Sequence, residues 1–275
     1  MTLENLPPAR ILVAITWLAA VVIVCVAAPS IAPHAPNANQ LTRMFLAPGA
    51  EGNLLGTDEL GRDVLSRVIH GGRTAMAVAL LSTVIAAFIG TIAGAAAGYA
   101  GSALDQVLMR LSEIQVSIPA IFMAVLVISF GARGMGGLVV VLTMAAWPSF
   151  FRLARAGAIV VRTSPYVEAA TLMGSGTLAI VFRHMLPAVA PVTIVTATLE
   201  FSQGLLLVAT LSFLGLGVPP PTPDWGTMVS SGQTLLPVAW WISGVPGLVI
   251  ISIVLAANAV GDWLAESLHL GEVIR

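Results

Sequence analysis

Few side chains in this sequence could do chemistry, and their spacing narrows what that chemistry could be. His34, His70, His184 and His269 are scattered without metal-ligand spacing, and Cys25 is the only cysteine. A disulfide within the chain and a cysteine-rich metal site are both excluded, and no bound metal is expected. Gly56 to Asp63 invites a phosphate-loop reading, but the lysine that would grip a nucleotide is missing, as lysine is throughout. Ser175 in Gly174-Ser175-Gly176, with His184 as base, would describe an intramembrane serine protease; the serine, however, falls in a polar connector and not at membrane depth. What remains is a polar stripe. Thr193, Thr196, Glu200, Gln203 and Thr210 step by three, four, three and seven residues, which places them along one helix face. Glu200 is an acid set well inside an apolar run. A charge at the centre of a membrane helix costs roughly 2.5 to 3.5 kcal/mol on insertion scales, so Glu200 should face protein or water. It either lines a pathway or pairs with a polar group on another helix.

The elements that would position this stripe are membrane helices. Apolar residues make up 57% of the chain and charged ones 9%, with a mean hydropathy of +0.96, outside the soluble range. The net charge of -1 leaves no basic surface for nucleic acid. The expected fold is an all-α integral membrane protein with about six spans. A polar lead, residues 1–10, precedes a first span over 11–32, whose apolar core is longer than a signal peptide's. Residues 33–73 read as an extracytoplasmic segment with an amphipathic interfacial helix from Asp63 to Ile69. Residues 74–266 then read as a five-helix core, with spans near Thr74–Tyr99, Asp105–Phe130, Leu138–Ala156, Val189–Leu214 and Trp241–Trp263, followed by a tail, 267–275. Gly90, Gly94 and Gly98 make a small-residue ladder for close helix packing, within the subunit or against a partner. Arg110 and Glu113 can pair at a spacing of three, and Pro119 is expected to kink the third span. Pro219 to Pro223 reads as a rigid loop, with Trp240 and Trp241 in an interfacial belt. Arg152, Arg155, Arg162 and Arg183 place the connector between the fourth and fifth spans in the cytoplasm, and both termini with it.

That connector, Ser164 to Pro187, is too polar to cross a bilayer and too apolar to be a plain linker. Ser164 can cap a helix with Pro165 at its first position, and Glu168 suits the positive end of its dipole. Gly174-Ser175-Gly176 breaks the run. A second helix restarts at Thr177, carries Leu178, Val181 and Met185 at helical spacing, and should stop before Pro187. The product is a bent knob that needs a partner.

The knob also carries a resemblance. Glu168, Ala169 and Ala170, then Gly174, then Leu186 and Pro187, match the EAA loop of ABC-importer permeases in type and spacing. Leu55-Gly56-Thr57-Asp58-Glu59-Leu60-Gly61-Arg62-Asp63, and Ser212-Phe213-Leu214-Gly215-Leu216-Gly217 running on to Trp225-Gly226, resemble the dipeptide, oligopeptide and nickel branch of that family. The likeness spans about Ile11 to Glu266 and points to the second of the branch's two permease subunits. It implies the type I ABC importer permease fold, with residues 162–187 as the coupling loop lying in a groove of an ATP-hydrolysing subunit. Glu168, Ala169, Ala170, Gly174, Arg183, Leu186 and Pro187 would do the coupling. It implies a transport subunit that is no enzyme and binds no cofactor, ATP and Mg being held by two ATP-binding subunits or a fused one. The remaining implied partners are a second homologous permease, an extracytoplasmic substrate-binding protein and the lipid of a bacterial or archaeal cytoplasmic membrane. Di- or oligopeptides are the expected cargo, with nickel or another small ligand as the alternative. An ion-coupled secondary transporter would show paired broken helices in corresponding halves, and no such repeat is visible.

Overall fold

The structure, a computed structural model, describes residues 7–101 and 103–268; the expected lead before Pro7 and the tail beyond Leu268 lie outside the described residues. The chain runs through α1 (Ala9–Val26), α2 (Ala28–Ile31), α3 (Val64–Ala100), α4 (Ala103–Ser117), α5 (Ala120–Ser129), α6 (Met135–Arg162), α7 (Pro165–Leu172), α8 (Thr177–Ile180), α9 (Leu186–Phe213), α10 (Trp225–Gly232), α11 (Leu236–Ala239) and α12 (Trp241–Ser267). Among the described residues five stretches are long and apolar enough to cross a membrane: α1, α3, α6, Thr177–Phe213 and α12; the bent pair of α4 and α5 makes up to six. Phe88, Phe122 and Leu255 are each more than 60% exposed, an outer surface that suits hydrocarbon and not water.

The bundle is built around α3. At about 1.5 Å per residue its 37 residues reach about 55 Å, well past the ~30 Å of a bilayer's hydrocarbon. Asp63 caps it, accepting from the Ser66 backbone at 2.8 Å and from the Ser66 hydroxyl at 2.7 Å. The helix therefore starts ten residues before Thr74, and the expected interfacial helix is absent as a separate element: Val64, Val68 and Ile69 are buried in the core. The physical reason is Asp58. Its Oδ1 accepts from the Leu60 and Arg62 backbones at 2.9 Å, its Oδ2 accepts from Arg62 Nε at 2.6 Å, and Arg67 Nε lies 3.4 Å away. With Arg67 held by the loop before it, the turn has no polar side left to lay on headgroups. Gly61, at φ +69°, lets this loop close, since a Cβ there would strike the Gln40 carbonyl. Trp241 is buried too, donating to the Thr57 carbonyl at 3.1 Å, so of the two expected interfacial tryptophans only Trp240 is exposed.

Along its second half α3 packs on α6 through the glycine ladder. A Cβ on Gly90 would stand 2.6 Å from the Trp147 carbonyl, on Gly94 2.3 Å from that of Phe151, and on Gly98 2.6 Å from that of Arg155. The ladder thus serves packing within the subunit. Two prolines act differently from expectation. Pro119 does not kink a continuous third span: it sits at φ -58°, ψ 137°, outside helical space, and α4 meets α5 at 93°. The proline ring also disfavours helical geometry at Ile118, so the chain turns a corner instead of bending. Pro187 does not stop the second helix of the knob. A π-helical turn, Val181–Met185, reroutes the hydrogen bonds, with the Leu186 amide donating to the Val181 carbonyl, and α9 continues through Pro187 and Pro191 to Phe213.

Candidate functional site

The knob is anchored from beneath. Pro165 occupies the first turn of α7, but Ser164 caps it only through its backbone: its carbonyl accepts from Val167 and Glu168 at 3.1 Å, while its hydroxyl donates to the Val161 carbonyl at 2.6 Å. Val167 and Ala170 are buried, and Val167 shares a small core with Ala95 of α3, Ala158 of α6 and Ile180, Val181 and Met185. Tyr166 and His184 stack loosely above it, ring centres 5.9 Å apart. The end of α7 is a Schellman turn, in which the Ser175 amide donates to the Ala170 carbonyl at 3.1 Å and the Gly174 amide to that of Thr171 at 3.0 Å. Gly174 makes it possible, with φ +83° and no atom within 4 Å of where an added Cβ would stand. Gly174→Val should therefore meet strain and no clash, raising the local energy by about 1 to 2 kcal/mol. We expect an inserted protein of near-normal melting temperature with which hydrolysis by an ATP-binding partner no longer follows substrate delivery; full uptake by this variant would remove Gly174 from the expected coupling residues.

The expected coupling residues separate into two groups. Glu168, Ala169, Gly174, Arg183 and Pro187 are exposed, whereas Ala170 is buried and Leu186 half-buried in the seat. The spacing argument missed the most exposed ones. Leu172, Met173 and Leu178 are 83%, 81% and 74% exposed and form an apolar tip. Leu178 was expected to share a face with Val181 and Met185, yet it points out while Ile180 takes the inward place. Behind the tip, Tyr99, Arg162, Glu168, Thr171 and Thr177 line a crevice of about 730 Å³. Below it Arg155 of α6 grips Asp105 of α4 with two bonds, Nη2 to Oδ2 at 2.7 Å and Nε to Oδ1. Arg110 and Glu113 pair at 2.9 Å, as their spacing predicts.

The polar stripe of α9 is split as well. Thr193 meets Thr91 of α3 at 3.3 Å, and Thr196 is buried with its hydroxyl turned back to the Val192 carbonyl. Glu200 is half-buried, with Ser149 and Arg152 of α6 as its polar neighbours. Gln203 and Thr210 are exposed. The stripe thus joins an end near the knob held against α3, an acid facing α6 and an open far end.

Comparison with known proteins agrees with this architecture. Residues 86–270 match the family model described as binding-protein-dependent transport system inner membrane component. The chain is similar to the di/tripeptide transport system permease protein DppC of Pseudomonas aeruginosa, 40% identical over 88% of this chain and 81% of the relative. It is 35% identical to the dipeptide transport system permease protein DppC of Haemophilus influenzae, over 94% of this chain and 89% of the relative. With the protein of that name from Escherichia coli it shares 37% identity over 93% and 87% of the two chains. A bundle of five to six spans with a helical knob between the fourth and the fifth, and a family match over two thirds of its length, lead to one conclusion: the chain belongs to the binding-protein-dependent transport system inner membrane components, the membrane permeases of ABC importers, and is a transport subunit and not an enzyme.

Proposed function

We propose that this chain is one of two permease subunits of an ATP-driven importer of di- or oligopeptides, with the α7–α8 knob seated in a groove of an ATP-binding subunit. The single observation that carries the coupling role is the apolar tip of Leu172, Met173 and Leu178, exposed on a small buried seat. An exposed apolar tip outside the bilayer calls for a protein partner. Support for a peptide cargo comes from the relatives named for di- and tripeptide transport. The companions in this reading are a second homologous permease, two ATP-binding subunits and an extracytoplasmic binding protein. Closure of the ATP-binding subunits pushes on the knob, and the push reaches the spans by two rigid routes: directly along Thr177–Phe213, and through α6 into α3 at the glycine ladder. The bundle then switches between outward-open and inward-open states.

The orientation is testable with single cysteines at exposed positions in a Cys25→Ser background. Leu54→Cys and Thr222→Cys should react with an impermeant thiol reagent in intact cells, and Ser175→Cys only after the membrane is opened. Reaction at position 175 alone would invert the topology.

The pathway role of α9 predicts a graded response at Glu200. Glu200→Gln keeps a polar group opposite Ser149 and Arg152 and should lower uptake several-fold, while Glu200→Leu should lower it at least about ten-fold, since it leaves Arg152 without its neighbour. Assembly and basal ATP hydrolysis should persist in both. Uptake measured on the reconstituted complex decides: full transport by Glu200→Leu would assign the acid to helix packing alone.

A further inference from the structure

On the face of α3 turned away from α6 lies a groove of about 1070 Å³, walled by α1, α3, α9 and α12. Its wall is apolar throughout, with exposed side chains such as Leu80, Val84, Phe88 and Ile194. Its few hydroxyls are already satisfied: Thr83 donates to the Ala79 carbonyl, Thr198 to that of Val195, and Thr91 is bonded to Thr193. One charge stands on it. Arg73 lines one end of the groove, is exposed, and has no hydrogen bond or ion pair with any described residue.

We infer that this groove is a phospholipid site, with acyl chain in the apolar channel and the phosphodiester on Arg73. Three observations choose this occupant. From Arg73 to Ile92 the groove follows α3 for 19 residues, about 28 Å at 1.5 Å per residue, which matches the ~30 Å hydrocarbon thickness and puts Arg73 at the level of headgroup phosphates. Its flank is open to the surroundings, with Leu80, Val84, Phe88 and Ile194 each more than half exposed, so hydrocarbon chains can enter from the side. The half nearest Arg73 is overhung by Leu18, Val22 and Val26 of α1, which turns an open flank into a slot. A guanidinium at the mouth of such a slot is matched by a phosphate, which it binds through two parallel N–H donors. The site bridges α1, α3 and the α9 helix that continues into the knob, so a bound lipid ties the outer end of the bundle to the helix that carries coupling. The inference rests on the chain's being embedded in a membrane and not on the cargo or the orientation; an inverted topology would change only the leaflet that supplies the lipid.

The test uses the full chain, with its co-purifying subunits, in nanodiscs of phosphatidylglycerol and phosphatidylcholine doped with a phosphatidylglycerol that carries a photoreactive group midway along one acyl chain. After irradiation, adducts mapped by mass spectrometry should concentrate on the groove wall at mid-chain depth below Arg73, around Leu80 and Val84, over the outward-facing control Leu255. Arg73→Gln should lower groove adducts roughly ten-fold and leave those at Leu255 unchanged. Ala77→Trp, one turn from Arg73, fills the slot and leaves Arg73 in place, and should lower them as well. Equal labelling of groove and control, or indifference to both substitutions, would reduce the groove to ordinary bilayer contact and overturn the site.

Discussion

Gly94→Leu should leave no assembled permease in the membrane. A Cβ at position 94 would lie 2.3 Å from the Phe151 carbonyl, 2.9 Å from the Arg155 amide and 3.0 Å from the Ala154 methyl, and two of these three atoms are backbone, which cannot rotate aside. Even Gly94→Ala must separate α3 from α6 and should lose about 1 to 3 kcal/mol. A leucine has no room at all. The contrast is Gly247 of α12, where nothing lies within 4 Å of an added Cβ. Gly247→Ala should be neutral or stabilise by up to about 1 kcal/mol, the helix-propensity difference. Melting of the purified chain, read by tryptophan fluorescence, separates the two: a fall for Gly94→Ala, none for Gly247→Ala, and no folded material for Gly94→Leu. A folded, thermally normal Gly94→Leu would mean that α3 and α6 do not approach along this ladder.

The second large effect concerns assembly and not folding. Leu172→Asp combined with Met173→Asp should abolish co-purification of the ATP-binding subunit and with it uptake, while the melting temperature of the permease stays put. Both side chains are more than 80% exposed, so their loss removes little from the fold. At an interface, apolar anchors of this kind contribute about 2 kcal/mol or more each. One such loss is a roughly 30-fold drop in affinity, and two together exceed what a stable complex tolerates. Val167→Asp reports on the buried side of the same helix: it puts a charge into the seat shared with Ala95, Ala158 and Ile180 and should destabilise the knob itself. Retained association in the double aspartate variant would move the docking surface elsewhere.

How much of this was legible in the sequence varied with the kind of signal. The spans were readable because they depend on composition, and the knob because Pro165, Gly174 and Gly176 constrain backbone shape directly. Helix lengths were not, since they are set by contacts between distant residues. Polar turns before Thr74 looked like a surface helix until Asp58 was found holding Arg62 and Arg67, a pairing that no local pattern reveals. Prolines misled for a related reason. A missing N–H says that one bond is lost, but neighbours decide whether the chain turns a corner, as at Pro119, or absorbs the loss in a wider turn, as before Pro187. Within the functional surface, Leu172 and Met173 went unnoticed because apolar residues in an apolar chain carry no contrast; only their exposure distinguishes them.

The wider turn has a consequence for how this surface is aimed. Relative to an α-helix, a π-turn such as Val181–Met185 holds one residue too many, and each residue of α-helix turns its neighbours by about 100°. The angle at which the knob meets the spans is therefore governed by the number of residues between Gly176 and Leu186 more than by their identity. Point substitutions there would leave the aim intact, while a single-residue deletion would restore regular bonding and swing the tip to another compass bearing. A docking direction that substitution barely alters is thus open to abrupt resetting by insertion or loss of one codon.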